Sequence, residues 1–414
     1  MLTPAFFALP KCYEKCLICP VIALGNREFF GYFVSTEYYP WSKQVWPRTQ
    51  NLRKVYQQMT NRRFAATVAA ISLVLTGVVA TTTVHAAGPQ VGVVLPDSAS
   101  SPRWVTDDQP LLEKAFKAAG VTYDIKNAGG SIPTFTTQAQ AMLTEGVKVL
   151  ILVNLDSPSS AAVEKLAKKQ GVATIDYDRL TLGGSANFYV SFDNVGVGVL
   201  QGKGIVACLK AHKVKSPRVV YLNGSPTDNN ATLFKQGYAS IVGAYLKKTH
   251  GTVVDDKSVA GWDNTLAGTI FEQQLTKSGN KLDAVVSANE GLGLAAVAVL
   301  KRNNLNGKTC VSGQDASAAG LAAILTGDLS NTVYKPIAQE ANAAASLAIS
   351  LVKGTKAVTN GMVKDGARNV PSVLLIPTTI TKKNVEVTVM DKFRTAAEIC
   401  AVAGAAACAA NGVK

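Results

Sequence analysis

The chain has 414 residues, 47% of them hydrophobic and 17% charged, with 34 Gly and 16 Pro. This composition excludes a disordered, collagen-like or coiled-coil chain, and the length suggests about two to three domains at ~100–200 residues each. Three His argue against a His-built catalytic or metal centre, seven Cys are too few for a disulfide scaffold, and a net charge of +14 raises a nucleic-acid reading that the location of the charge must decide.

Residues 1–87 hold nine Lys/Arg and three Asp/Glu, a net of +6, which leaves +8 over the much longer remainder. There the basic residues stand singly or in pairs such as Lys168-Lys169, Lys247-Lys248 and Lys382-Lys383. That is the pattern of a solvated surface, and no nucleic-acid partner is expected. From Met59 the chain reads as a secretory signal peptide. Arg62-Arg63 form the positive region, Phe64 to Ala80 the apolar run, and the small residues up to Ala86-Ala87 the cleavage site. The competing reading is an uncleaved membrane anchor. A signal works at the start of a chain, so residues 1–58 are expected to be an upstream extension of the reading frame. Their Cys12, Cys16 and Cys19 have the spacing of an iron–sulfur motif, but no barrel pattern follows, and no cluster is expected. Four Cys remain beyond the signal. Cys400 and Cys408 lie close together in an Ala-rich tail and are expected to pair; Cys208 and Cys310 either pair or stay as buried thiols.

Strand and helix alternate from Gln90. Val91–Leu95 is an apolar run, hence a buried strand, and a helical stripe over 106–119 closes at Gly120. Strands are expected at Val121–Ile125, Val147–Val153 and Val172–Asp176, with helices at 135–145 and 158–170. Beyond Asn194 the helices are 195–212, 229–248, 265–278, 292–303, 317–326 and 336–353. The intervening strands are Arg218–Leu222, Thr252–Val259, Leu282–Ser287, Thr309–Ser312, 331–334 and a last one at Val373–Ile380. Continuous apolar strands alternating with helices predict an α/β fold of two doubly wound parallel sheets. The first crossing between them falls near Ser191–Asn194.

Ligands of such sheets bind beyond the carboxyl ends of the strands. There stand Asp97, Arg103-Trp104, Asp178-Arg179, Asp228-Asn229-Asn230, Gly261-Trp262, Asn289-Glu290, Asp315 and Lys335. A glycine-rich phosphate loop is missing, because Gly291-Leu-Gly293 lacks the third glycine. The set suits a sugar. Asp and Asn accept from hydroxyls, Arg, Lys and Asn donate to them, and an indole covers an apolar pyranose face.

Arg103-Trp104, Tyr177-Asp178-Arg179, Tyr189 to Asn194, Gly224 to Ala231, Gly261-Trp262, Ser312 to Ala316, Thr332 to Pro336 and Val370-Pro-Ser372 resemble the periplasmic sugar-binding proteins of ABC importers, of the D-xylose-binding type. The resemblance spans roughly residues 90–390. It implies a type I two-lobe fold with a three-crossover hinge. The lobes would comprise 90–192 with 335–370 and 193–334 with 371–390, leaving 391–414 as a tail. Trp104 and Trp262 would stack on the two sugar faces. Arg103, Asp178, Arg179, Asp228, Asn230, Asn289, Asp315 and Lys335 would bond the hydroxyls and ring oxygen. The resemblance also implies a monosaccharide ligand, D-xylose first, with glucose, arabinose or ribose as alternatives. It implies a membrane permease partner, export to the periplasm or outer face of the envelope, a monomer, and neither cofactor nor catalysis. The sequence departs from the family pattern in the loop Pro96 to Pro102 and at Glu290, where Asp is usual. Two other functions have sequence requirements of their own. A glycosidase would need two carboxylates flanking the scissile bond, for which Asp178, Asp228 and Asp315 are nominal candidates. A sugar-responsive repressor would need a helix-turn-helix ahead of residue 90, where the export signal stands instead.

Overall fold

The computed structural model describes residues 88–414. The expected signal peptide, the upstream extension and its three Cys lie outside the described residues. The first half builds β1 (Val91–Leu95), α1 (Gln109–Ala119), β2 (Tyr123–Asn127), α2 (Ile132–Thr144), β3 (Val149–Leu152), α3 (Ser157–Lys169), β4 (Ala173–Tyr177) and β5 (Phe188–Phe192). Next come α4 (Asn194–Ala211), β6 (Arg218–Asn223), α5 (Asn229–Thr249), β7 (Thr252–Ser258), α6 (Asn264–Lys277), β8 (Ala284–Ser287), α7 (Glu290–Arg302), β9 (Cys310–Val311), α8 (Ala318–Thr326) and β10 (Thr332–Tyr334). The chain ends with α9 (Ile337–Lys353), β11 (Gly361–Lys364), β12 (Asn369–Leu375), β13 (Thr378–Ile380), α10 (Glu386–Met390), α11 (Ala396–Ala403) and α12 (Ala405–Ala410).

The strands form two main sheets. The first runs β11-β12-β5-β4-β3-β1-β2, and the second runs β7-β6-β8-β9, with β10 and β13 as a separate antiparallel pair. A single bridge, Ser312 to Asn331, links the β9 and β10 segments. β1, β3, β4 and β5 pair in parallel, and their apolar side chains are buried because helices cover both faces. One face of the first sheet packs on α1 and α9 through Leu112, Phe116, Ala344 and Leu347. The other packs on α2 and α3 through Phe135, Met142 and Val163. The second sheet has its own core, including Tyr238, Phe271, Val285 and Leu300. The fold is the two-lobe α/β architecture expected.

The chain crosses between lobes three times: at Asp193 after β5, at Lys335-Pro336 after β10, and at Ile376-Pro377 after β12. The first and third crossings touch, where the Asp193 N–H donates to the Leu375 carbonyl at 3.0 Å. One lobe boundary differs from the expected one. Residues 371–375 were assigned to the second lobe, yet β12 pairs in parallel with β5 (Ser372 opposite Tyr189, Leu375 opposite Phe192) and belongs to the first. The run Val373–Ile380 is therefore two strands. Pro377 lacks the N–H that a continuous ladder needs. β5 and the antiparallel edge strand β11 were not among the expected strands. The tail is no appendage: Ile399, Cys408 and Val413 are buried in the second lobe's core. The structure joins Cys400 to Cys408 and Cys208 to Cys310 as disulfides.

Candidate functional site

Among the described residues, seven helices start with an Asp, Asn or Ser whose side chain accepts a backbone N–H of the first turn, and two of these caps also face the cleft between the lobes. Asp228 Oδ1 accepts the Asn230 N–H at 2.9 Å, which leaves Oδ2 for the Trp262 indole N–H at 3.1 Å and for Arg179 Nε at 3.0 Å. Asn289 Oδ1 accepts the Leu292 N–H at 2.9 Å, and its Nδ2 points across to the Ser100 carbonyl at 3.4 Å. Each cap stabilises its helix by ~1 kcal/mol. One side chain thus fixes a helix start and presents a polar atom at a strand's carboxyl end.

All ten residues expected at a site line one cavity between the lobes: Arg103, Trp104, Asp178, Arg179, Asp228, Asn230, Trp262, Asn289, Asp315 and Lys335. Ser100, Ser101, Phe234 and Gln314 line it too and were not anticipated. Gln314 precedes Asp315 and could have been named with it. Ser100 and Ser101 lie in a Ser-rich loop with no distinguishing pattern, and Phe234 sits on an apolar helix face that reads as core.

Local backbone geometry aims several of these groups. Asp178, Trp262 and Asp315 have φ of 60°, 56° and 114°. Non-Gly residues there cost of order 1–3 kcal/mol each and persist where the surroundings over-determine them. Trp262 also depends on Gly224, because a Cβ at 224 would meet the indole ring at 2.0 Å. Glu290, the departure from the family pattern, does not line the cavity. It accepts the N–H groups of Ala316 and Ser317 at 2.9 and 2.8 Å and the Thr332 hydroxyl at 2.5 Å, and so ties down the loop that carries Asp315. Gly320 leaves room for this longer carboxylate, since a Cβ there would lie 2.0 Å from it. Burial, against the bonds from Ser317 and Thr332, pushes the Glu290 carboxyl up to about 7.

The cavity floor is a charge cluster. Arg103 bonds both oxygens of Asp108 at 2.8 and 2.7 Å, Asp178 at 2.9 Å and Glu340 at 2.6 Å. Lys335 lies 3.4 Å from Asp178 and 3.6 Å from Asp315. Burial raises the Asp178 carboxyl, but Lys335, Arg103 and Arg179 outweigh it and bring the group down to about 2. Burial raises Asp228 and Asp315, against Arg179 for the first and Lys335 for the second. Burial also pushes Glu340 up to about 8, because Arg103 shares its charge with Asp108 and Asp178. Direct contacts span the lobes at this level, among them Arg179 to Asp228, and Asn230 Nδ2 donating to the Asp178 carbonyl oxygen at 2.9 Å. The Arg103 guanidinium lies 4.3 Å over the Trp104 ring, so one indole face carries a cation. Trp104 Nε1 and Gln314 Oε1 are buried with no partner among the described residues. They leave one donor and one acceptor in the cavity wall that a polar ligand can satisfy.

A profile of the periplasmic binding protein domain matches residues 91–356. The chain belongs to the periplasmic binding protein family. Within it, the chain is 35% identical over 329 residues to the D-xylose-binding periplasmic protein of Escherichia coli strain K12, covering 79% of this chain and 96% of that protein. It is 31% identical over 318 residues to a multiple sugar-binding periplasmic protein of Azospirillum brasilense, covering 73% and 88%. A carbohydrate transporter solute binding protein from Chloroflexus aurantiacus, solved with D-glucose, superposes with a TM-score of 0.68 at 25% identity, covering 75% of this chain and 98% of that one. These periplasmic binding proteins match the chain across both lobes and not across one domain alone.

Proposed function

We propose that this periplasmic binding protein captures a monosaccharide between its lobes, D-xylose before other sugars, and delivers it to the membrane permease of an ABC importer. The observation that carries this reading is the joint cavity: ten side chains from both lobes, mixing acceptors, cations and two indoles, face one another. The names of its relatives, among them D-xylose-binding periplasmic proteins of E. coli and Haemophilus influenzae, favour xylose and a periplasmic location. Two structural neighbours solved with glucose make it the second sugar to test.

The mechanism is hinge closure. The cavity is only about 30 Å³, small for a pyranose. The sugar therefore enters with the lobes parted, and its hydroxyls take the places of the direct contacts Arg179–Asp228 and Asn230–Asp178. The ligand then favours the closed state by its larger affinity for it. No bond is made or broken in this reading. Asp178, a nominal nucleophile for a glycosidase, already has Arg103 and Lys335 on Oδ2 and Asn230 on Oδ1. That suits an ionised acceptor of hydroxyls. Titration calorimetry of residues 88–414 with D-xylose, glucose, arabinose and ribose tests the reading. Tight binding of xylose is expected, and the absence of heat with all four sugars would overturn it.

A further inference from the structure

A second cavity, of about 130 Å³, adjoins the first. Arg179, Asp228 and Trp262 line both, so these three side chains form the shared wall. Both lobes contribute to the rest of it. Gly129, Gly130 and Gly261 lie in its lining, and a Cβ built on Gly129 or Gly261 meets nothing within 4 Å, so backbone borders open space. Hydroxyls face it as well. Ser225 Oγ is 3.0 Å from Thr227 Oγ1 and accepts the Gly261 N–H at 3.2 Å.

The wall has the chemistry of a glycosidic bridge. Arg179 presents Nε to Asp228 and donates Nη1 to the Asn154 carbonyl at 3.1 Å, while its Nη2 makes no hydrogen bond with the described residues. A free sugar hydroxyl at this wall donates to Asp228 and accepts from Arg179. A glycosidic oxygen only accepts. Its substitution leaves Arg179 a partner and does not strand Asp228, which keeps the Trp262 and Asn230 N–H groups. By contrast, a site built to receive a proton from the ligand rejects the ether analogue, since its acceptor is left unpaired.

We infer that the second cavity is a second sugar subsite, so that the protein takes a pentose disaccharide with one ring in each cavity and the linking oxygen at Arg179. This inference rests on the monosaccharide reading above, and one titration series separates the two. Calorimetry would use D-xylose and xylobiose with the wild-type protein and with Ala99→Trp and Thr227→Trp, which fill the second cavity from opposite lobes. Neither residue lines the first cavity, and the Ala99 carbonyl that accepts from Asn264 is backbone. The wild type is expected to bind both sugars. Each variant is expected to keep xylose affinity within about twofold and to lose xylobiose affinity at least about tenfold, the scale of an overpacked site. Xylose binding without xylobiose binding in the wild type overturns the subsite and leaves the monosaccharide reading intact. So does xylobiose binding unaffected in both variants, or a parallel loss of both sugars. Failure to bind either sugar overturns both readings.

Discussion

The most unusual electrostatic feature of the site is its imbalance, and it makes a prediction that needs no ligand. Five buried carboxylates (Asp108, Asp178, Asp228, Asp315 and Glu340) face three buried cations (Arg103, Arg179 and Lys335). Glu340 is the member expected to hold a proton. Burial outweighs the attraction of Arg103, its carboxyl sits at about 8, and its Oε1 has no partner among the described residues. The unfolded chain releases that proton near the ordinary value of 4.5. Between these two values the native state holds more protons than the unfolded one, so stability falls as pH rises. The contribution is complete below about pH 4.5 and gone above about pH 8, at up to about 1.4 kcal/mol per pH unit and of order 5 kcal/mol in all. Glu340→Gln removes the titration while keeping an oxygen for Arg103. Urea denaturation of both proteins from pH 5 to pH 8 measures the difference. The wild type is expected to lose stability relative to the variant at every step. The slope is the test and not the intercept, because the amide brings its own donors into a buried place. Glu290 titrates in both proteins and cancels in the comparison. Parallel pH profiles would show that Glu340 is ionised throughout and that Arg103 neutralises it despite its other two partners.

Other expectations follow from single contacts. Trp262→Ala removes an indole from the cavity wall and a donor from Asp228, and is expected to weaken xylose binding by about 1–3 kcal/mol, or roughly 5–150-fold, in calorimetry. Gly224→Ala is expected to do the same without touching the indole, since the new Cβ lies 2.0 Å from the ring; unchanged affinity in both would refute the placement. Arg394, in the tail, bonds both oxygens of Asp107 at 2.7 and 2.8 Å across the lobes. Arg394→Ala is expected to favour the open form by about 1 kcal/mol, read as a larger radius of gyration in small-angle scattering at sub-saturating sugar. Reducing Cys208–Cys310, which closes a separation of 102 residues, is expected to lower stability by about 4–5 kcal/mol in urea melts with and without reductant.

How much of this was legible in the sequence depends on whether the cause was local. The buried parallel strands were, because β1, β3, β6 and β8 are uninterrupted apolar runs with no charged residue inside beyond the ends, and only double coverage by helices stabilises such runs. The ten cavity residues were legible because they sit at strand ends, where the fold concentrates its polar atoms. The lobe membership of 371–375 was not. Val373 to Ile380 is apolar throughout except for Thr378 and Thr379, and its pairing partners lie at Tyr189–Phe192 on one side of Pro377 and Thr332–Tyr334 on the other. No periodicity carries that choice; Pro377 alone marked a break.

The charge cluster shows the same limit from the other direction. Asp108 and Glu340 read as ordinary exposed residues of amphipathic helices, and nothing near them in sequence marks them as buried. They are buried because α9 crosses back to the first lobe after Lys335 and lays Glu340 beside Arg103, 237 positions earlier in the chain. The hinge therefore does more than permit motion. Lys335 and Glu340 flank the start of α9, so the crossing delivers a cation and a carboxyl whose pKa burial raises to the same guanidinium cluster that faces the cavity. Any parting of the lobes that shifts Asp178 or Asp315 relative to Lys335 alters the field at Glu340. Ligand affinity and the titration of this one carboxyl are expected to be linked, and Glu340→Gln should flatten the pH dependence of xylose binding between pH 6 and pH 9. An unchanged binding profile alongside a flattened stability profile would place the proton on Glu340 but uncouple it from closure.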